Sequence, residues 1–128
     1  MSDSFSQSHR VQELRYVSAE RRLEVAFEDG KSFSLPAEYL RVESPSAEVQ
    51  GHGPGQKQIV SGRRHVGIMK IEPVGNYAVR LSFDDLHDTG LYSWDYLHEL
   101  GEDQAEKWAA YLEAVERQGL SRDPPRRA

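Results

Sequence analysis

The stretch that most constrains this chain is RLEVAFEDGKSFSLP, residues 22–36. Leu23, Val25 and Phe27 alternate with Arg22, Glu24, Ala26 and Glu28, and Phe33 and Leu35 resume the apolar rhythm after Asp29-Gly30. Period-two alternation sends one face of a strand into a core and the other into water. Asp-Gly between two such runs predicts a hairpin with positive φ at both central residues, a type I′ turn. Pro36 then opens a short helical turn through Ala37, Glu38, Tyr39 and Leu40, where its missing N–H costs nothing.

The plan returns downstream. VGIMKIEPVGNYAVRLSFDD (66–85) reads as a second hairpin turning at Gly75-Asn76, with Tyr77, Val79, Leu81 and Phe83 on one apolar face. GLYSW (90–94) is another short strand, and DYLHEL (95–100) a helical turn. LEVAFEDGKSFSLPAEYL and VRLSFDDLHDTGLYSWDYL therefore echo each other: a strand ending in Phe, an acidic turn with Gly, a second strand, a helix with Tyr-Leu. VQELRYV (11–17) adds an expected edge strand. A final helix is expected over 102–118, with Ala105, Trp108, Ala109, Leu112 and Val115 on one stripe and Gly119 as its stop. The expected fold is α+β: two β-hairpin-based halves, a ββα-like pseudo-repeat, packed with a C-terminal α-helix. Residues 10–119 form one domain between disordered ends at 1–9 and 120–128, since 128 residues support one core rather than two.

Composition narrows the chemistry. The absence of cysteine removes disulfides, thiolate nucleophiles and sulfur-bound zinc. A net charge of −5 disfavours nucleic acid, which needs a basic footprint. No apolar run is long enough for a membrane span, and the first residues lack a signal-peptide pattern, so a cytoplasmic chain is expected. The run SPSAEVQGHGPGQKQIVSGRR (44–64) is long for a connection and is expected to be a mobile link between the halves. Its glycines do not precede the Gly-Lys-Ser/Thr of a phosphate loop. The turn FDDLHDTG (83–90) gathers Asp84, Asp85, His87 and Asp88; carboxylates there are expected to raise the His87 pKa and to offer oxygens to a cation. No serine stands in a nucleophile-elbow context.

LPAEYLRVESPSAEVQGHG, taken with LSFDDLHDTGLYSWDYL, resembles the N-terminal domain family of gamma-butyrobetaine hydroxylase and trimethyllysine hydroxylase, most closely its bacterial stand-alone form of unknown function. The resemblance covers about residues 12–117. It implies a zinc site built by three cysteines after Leu-Arg and a histidine from the second half. Those positions fall on Ser44, Ser46, Val49 and His87. Hydroxyls are poor zinc ligands and valine is none, so the knuckle is expected to be absent, with His87 hydrogen-bonded near Ser44 or Ser46. The family's oxygenase domain is not present in this length, and the related fusions to iron–sulfur-carrier ATPases lend no cluster ligands to a chain without cysteine.

The resulting expectation is a non-catalytic accessory or interaction module with an unidentified protein partner, no membrane or nucleic-acid partner, and no cofactor. Arg41, His52, Arg63 and Arg64 are the expected polar contacts. The competing expectation is iron, zinc or small-anion binding, the metal held by His87 with Asp84, Asp85 or His52.

Overall fold

The computed structural model describes residues 9–51 and 55–125. Strands β1 (Val11–Val17), β2 (Arg22–Phe27) and β3 (Ser32–Pro36) form one antiparallel sheet in that order, followed by helices α1 (Ala37–Val42) and α2 (Ala47–Gln50). Strands β4 (Ile68–Val74), β5 (Ala78–Phe83) and β6 (Gly90–Ser93) form a second, followed by α3 (Trp94–Glu102) and α4 (Gln104–Arg117). The α+β architecture of two hairpin-based halves and a closing helix is thus the observed one. No helix among the described residues is long and apolar enough to cross a membrane.

The echo in sequence is an echo in register. Leu23 pairs with Leu35 and Val25 with Phe33; Val79 pairs with Tyr92 and Leu81 with Gly90. Even the bulges correspond, one beside Val11 opposite Phe27 and one beside Ile68 opposite Phe83. The inward residues of the central strands, Leu23, Val25 and Phe27 against Val79, Leu81 and Phe83, are buried in one shared core with Leu35, Tyr92, Leu40 and Leu97. Pro36 and Ser93 occupy matching N-cap positions; Ser93 accepts a hydrogen bond from the Tyr96 N–H.

Two tyrosines lock the halves reciprocally. The Tyr39 hydroxyl donates to the Leu100 carbonyl at 2.7 Å, and the Tyr96 hydroxyl donates to the Glu43 carbonyl at 2.5 Å. Each therefore satisfies the carbonyl four residues beyond its counterpart, on helices whose last carbonyls lack intrahelical donors. Burial drives the Tyr39 and Tyr96 phenols well above their ordinary range, so both remain donors.

Several expectations need correction. At the first hairpin only Gly30 has positive φ, +91°, and Gly30 N–H bonds to the Phe27 carbonyl. The loop is therefore a turn closed by a left-handed glycine, rather than type I′. Tyr77 is 48% exposed, so it leaves the apolar face on which it was expected. The helix expected over 102–118 is α4, and the turn expected at 95–100 extends into α3, capped by Ser93 and meeting α4 at Asp103. In α4 the buried residues are Tyr111, Ala114 and Val115, with Trp108 half-buried, while Ala105, Ala109 and Leu112 face solvent. Trp108 and Val115 of the expected stripe do pack inward, whereas periodicity missed Tyr111, whose hydroxyl donates to the Val60 carbonyl at 2.6 Å. Gly119 does stop the helix: its N–H bonds to Glu116 and that of Leu120 to Val115, with Gly119 at φ +67°.

Described residues of the terminal segments and of the link make contacts with the body of the fold. His9 bonds to Asp95, and the Gly62 and Arg64 N–H groups donate to Ser121 and Arg122 carbonyls. The expected mobile link instead carries α2 and packs Ile59 and Val60 against Val42, Tyr111 and Val115.

The matched halves exchange bulk at one equivalent contact. A Cβ on Gly101 would meet Phe33 ring carbons at 2.3–2.6 Å, and one on Gly90 would meet Ser44 Oγ at 2.7 Å. In Gly101→Ala, helix propensity favours alanine by about 1 kcal/mol, but overpacking costs about 1–3 kcal/mol. The expected outcome in urea unfolding is a net loss of about 1 kcal/mol, reversed to a gain when Phe33→Ala is also present.

Candidate functional site

The positions where the resemblance implies zinc do converge. Ser44 Oγ lies 2.9 Å and Ser46 Oγ 3.4 Å from His87 Nε2, and the two hydroxyl oxygens are 3.3 Å apart. Ser46 N–H also points to Ser44 Oγ at 3.3 Å, and Val49 closes the group with a buried aliphatic side chain. The sequence dictates this locally. Ser44-Pro45-Ser46 is extended into the Ser46 N-cap of α2, and Gly90, lacking a Cβ, lets the second half approach Ser44. Two neutral hydroxyls and a valine do not make a donor set for zinc. The two hydroxyls and the imidazole hydrogen-bond to one another and tie the halves together at this point.

The group has a feature no sequence motif announced. Glu48 Oε1 stands 3.9 Å from His87 Nδ1 and accepts a hydrogen bond from Thr89 Oγ1 at 2.7 Å. Hydroxyl, imidazole and carboxylate thus lie in the order of an acyl-transfer triad. The geometry stops short of that chemistry: 3.9 Å is too long for the orienting hydrogen bond, and Ser44 is 0% exposed. The signal was hidden because His87 lies 43 and 41 residues along the chain from Ser44 and Ser46, outside any local pattern.

Beside it sits an ion cluster. Arg41 Nε and Arg63 Nε both donate to Asp85 Oδ2, at 2.8 and 2.5 Å, and Asp85 Oδ1 accepts the His87 backbone N–H at 3.2 Å. Burial opposes ionisation of Asp85, but the hydrogen bonds from Arg41 and Arg63 outweigh it and hold its carboxyl below the usual range. Burial and then the Arg41 guanidinium push the His87 imidazole below its ordinary value. This corrects the expected upward shift: Asp85 is spent on two arginines, and the imidazole lies inside, where burial outweighs the carboxylates. Arg41 Nη1 is buried without a partner, so that guanidinium depends on Asp85.

Of the four expected contact residues, Arg41 and Arg63 are therefore joined at Asp85, while Arg64 pairs with Asp123. His52 lies outside the described residues. Asp84 is exposed at the turn, and Asp84, Asp85 and His87 do not gather ligand atoms as a metal group among the described residues; His9, Asp29 and His98 do.

The family described as gamma-butyrobetaine hydroxylase-like, N-terminal, matches residues 14–98. The chain belongs to this family. Solved structures are similar to it over most of its length. One solution NMR structure is 44% identical with a TM-score of 0.81, covering all of this chain and 95% of its own. Another is 43% identical with a TM-score of 0.79, covering 94% of each. A crystal structure from Acidithiobacillus ferrooxidans, a protein of unknown function in the DUF971 family, is 40% identical with a TM-score of 0.61, covering 72% of this chain and 92% of that one. No curated protein matches.

Two outcomes follow from the site. Asp85→Asn leaves a buried guanidinium without its counter-charge and is expected to cost about 3 kcal/mol in chemical unfolding, against little for the exposed neighbour Asp88→Asn. Because the folded-state pKa of His87 lies below its unfolded value, the unfolded chain binds the extra proton. Stability from this group is complete above about pH 6.5 and falls as pH drops through the folded value. His87→Asn is expected to reduce the loss in melting temperature between pH 7.5 and 5.5; an unchanged slope would exclude His87 as the titrating group.

Proposed function

We propose that the chain is a non-catalytic accessory module that receives an extended, apolar segment of a partner protein in the cleft between α1 and the start of α4. One contrast carries this reading. The residues arranged for chemistry are sealed, with Ser44 0% exposed, whereas a cleft of about 660 Å³ lies open over Pro36, Tyr39, Ala105 and Trp108. Its charges are largely neutralised internally. Arg122 grips Glu38 through two hydrogen bonds at 2.8 and 2.7 Å and lies 5.1 Å over the Trp108 ring, and Glu102 is paired with Lys31.

A cleft of this size with an apolar floor and matched charges favours an uncharged side chain over an ionic substrate. Aromatic floors such as Trp108 are typical anchors of protein docking. Gln104 at the rim supplies amide hydrogen bonds for the backbone of an extended segment. The arginines expected to make contacts are paired within the chain, Arg41 and Arg63 with Asp85 and Arg64 with Asp123.

Selection of a random displayed peptide library on the purified chain is expected to enrich segments with a large apolar residue. Ala105→Arg, an exposed position in the cleft, is expected to weaken those peptides at least tenfold without altering the melting temperature, and Arg64→Ala to leave them unchanged. Peptides that bind Ala105→Arg as well as the parent would remove the cleft from the reading. A fluorophosphonate probe is expected to leave Ser44 unlabelled in the folded chain; labelling there would reject the non-catalytic assignment.

A further inference from the structure

The pseudo-twofold that matches the tyrosines also matches two polar junctions. Asp85 lies two residues beyond Phe83 and is held by Arg41, two residues beyond Tyr39. Asp29 lies two residues beyond Phe27 and is held by His98, two residues beyond Tyr96, with His98 Nε2 2.9 Å from Asp29 Oδ2. Each turn aspartate thus meets a basic side chain from the opposite half's helix. At one junction that side chain is a guanidinium, joined by Arg63, and fixed positive charge completes it. At the other it is an imidazole, which has a neutral form with an in-plane lone pair.

A second imidazole joins the latter junction. The His9 ring stacks on His98 with centroids 3.5 Å apart and planes at 15°. One ligand atom each from His9, Asp29 and His98 lies within 4.8 Å of the others. We propose that these three side chains form a binding site for a divalent transition-metal ion of the zinc class.

Three observations support the chemistry. First, the donor set is two imidazole nitrogens and a carboxylate oxygen, suited to such ions and leaving a position for water. Second, an outer carboxylate orients one ligand, with Asp95 Oδ1 2.9 Å from His9 Nδ1, while Glu102 Oε1, 4.0 Å from His98 Nδ1, adds negative charge without a hydrogen bond. Donation from His9 Nδ1 to Asp95 leaves the Nε2 lone pair for an ion. Third, the Phe27 and Phe33 rings stand edge-on around the nearly buried His98, at 4.7 and 5.4 Å, fixing its orientation, while Asp29 is 39% exposed and keeps the site open.

Metal–ligand bonds of about 2.0–2.2 Å at a tetrahedral ion set ligand atoms about 3.4 Å apart. The 2.9 Å contact between His98 and Asp29 needs to widen by only a few tenths of an ångström. Lone pairs of two stacked rings do not converge, so capture turns the half-exposed His9 ring out of the stack. The site is separate from Ser44, Ser46 and His87.

The test is zinc binding by the untagged chain, by competition with a chromophoric chelator, with histidine resonances followed by NMR. Near-stoichiometric binding that shifts His9 and His98 is expected. His9→Ala and Asp29→Asn, both outside the core, are each expected to weaken it at least tenfold, while His65→Ala and His87→Asn retain it. His98 is left intact because its ring is wedged in the core. Zinc bound equally by the His9→Ala/Asp29→Asn double variant, or no zinc bound by the parent chain at micromolar concentration, would overturn the assignment.

Discussion

The reciprocal tyrosine contacts are the constraint on which the rest of the structure depends. Tyr39 and Tyr96 each reach from one helix to the terminal carbonyls of the other, so neither half can shift without breaking both contacts. A buried phenol without a partner costs free energy, and so does a buried carbonyl. Reciprocity makes each half the solution to the other's unsatisfied groups. Tyr92, donating to the Leu40 carbonyl at 2.6 Å from the middle of the core, reinforces the same seam from β6.

Given that seam, symmetry-related positions face related neighbours, and what differs between them is side-chain chemistry. Phe33 presses on Gly101 where Gly90 yields to Ser44. Arg41 answers Asp85 where His98 answers Asp29. The same backbone geometry therefore yields a closed ion cluster at one end and an imidazole–carboxylate cluster at the other. The zinc knuckle implied by the family falls on the closed side, where Ser44, Ser46 and His87 bond to one another and perform the tie without metal-ligand thiolates.

Legibility in the sequence followed the range of the interaction. Leu23, Val25 and Phe27 declared a core-facing strand because alternation is a local property, and the matching Val79, Leu81 and Phe83 declared the second. The convergence of Ser44, Ser46 and His87 was legible through family resemblance. The buried face of α4 was legible only in part, at Trp108 and Val115, because Tyr111 enters it through a hydrogen bond to Val60, and hydropathy counts carry no information about distant carbonyls. Nor was the direction of the His87 shift legible: Asp84, Asp85 and Asp88 are three acidic neighbours in sequence, but the imidazole is buried and arginines from elsewhere claim Asp85.

The sequence by itself determined the two hairpins, their duplication, the glycine stop at Gly119 and the lack of sulfur ligands, since each depends on residue type and short-range spacing. Only the tertiary structure decided which aspartate meets a guanidinium and which an imidazole, that His9 stacks on His98, and that Ser44 is sealed. Those outcomes arise where residues far apart in the chain compete for the same partner. Burial and distance settle that competition, and neither is written in the order of the residues.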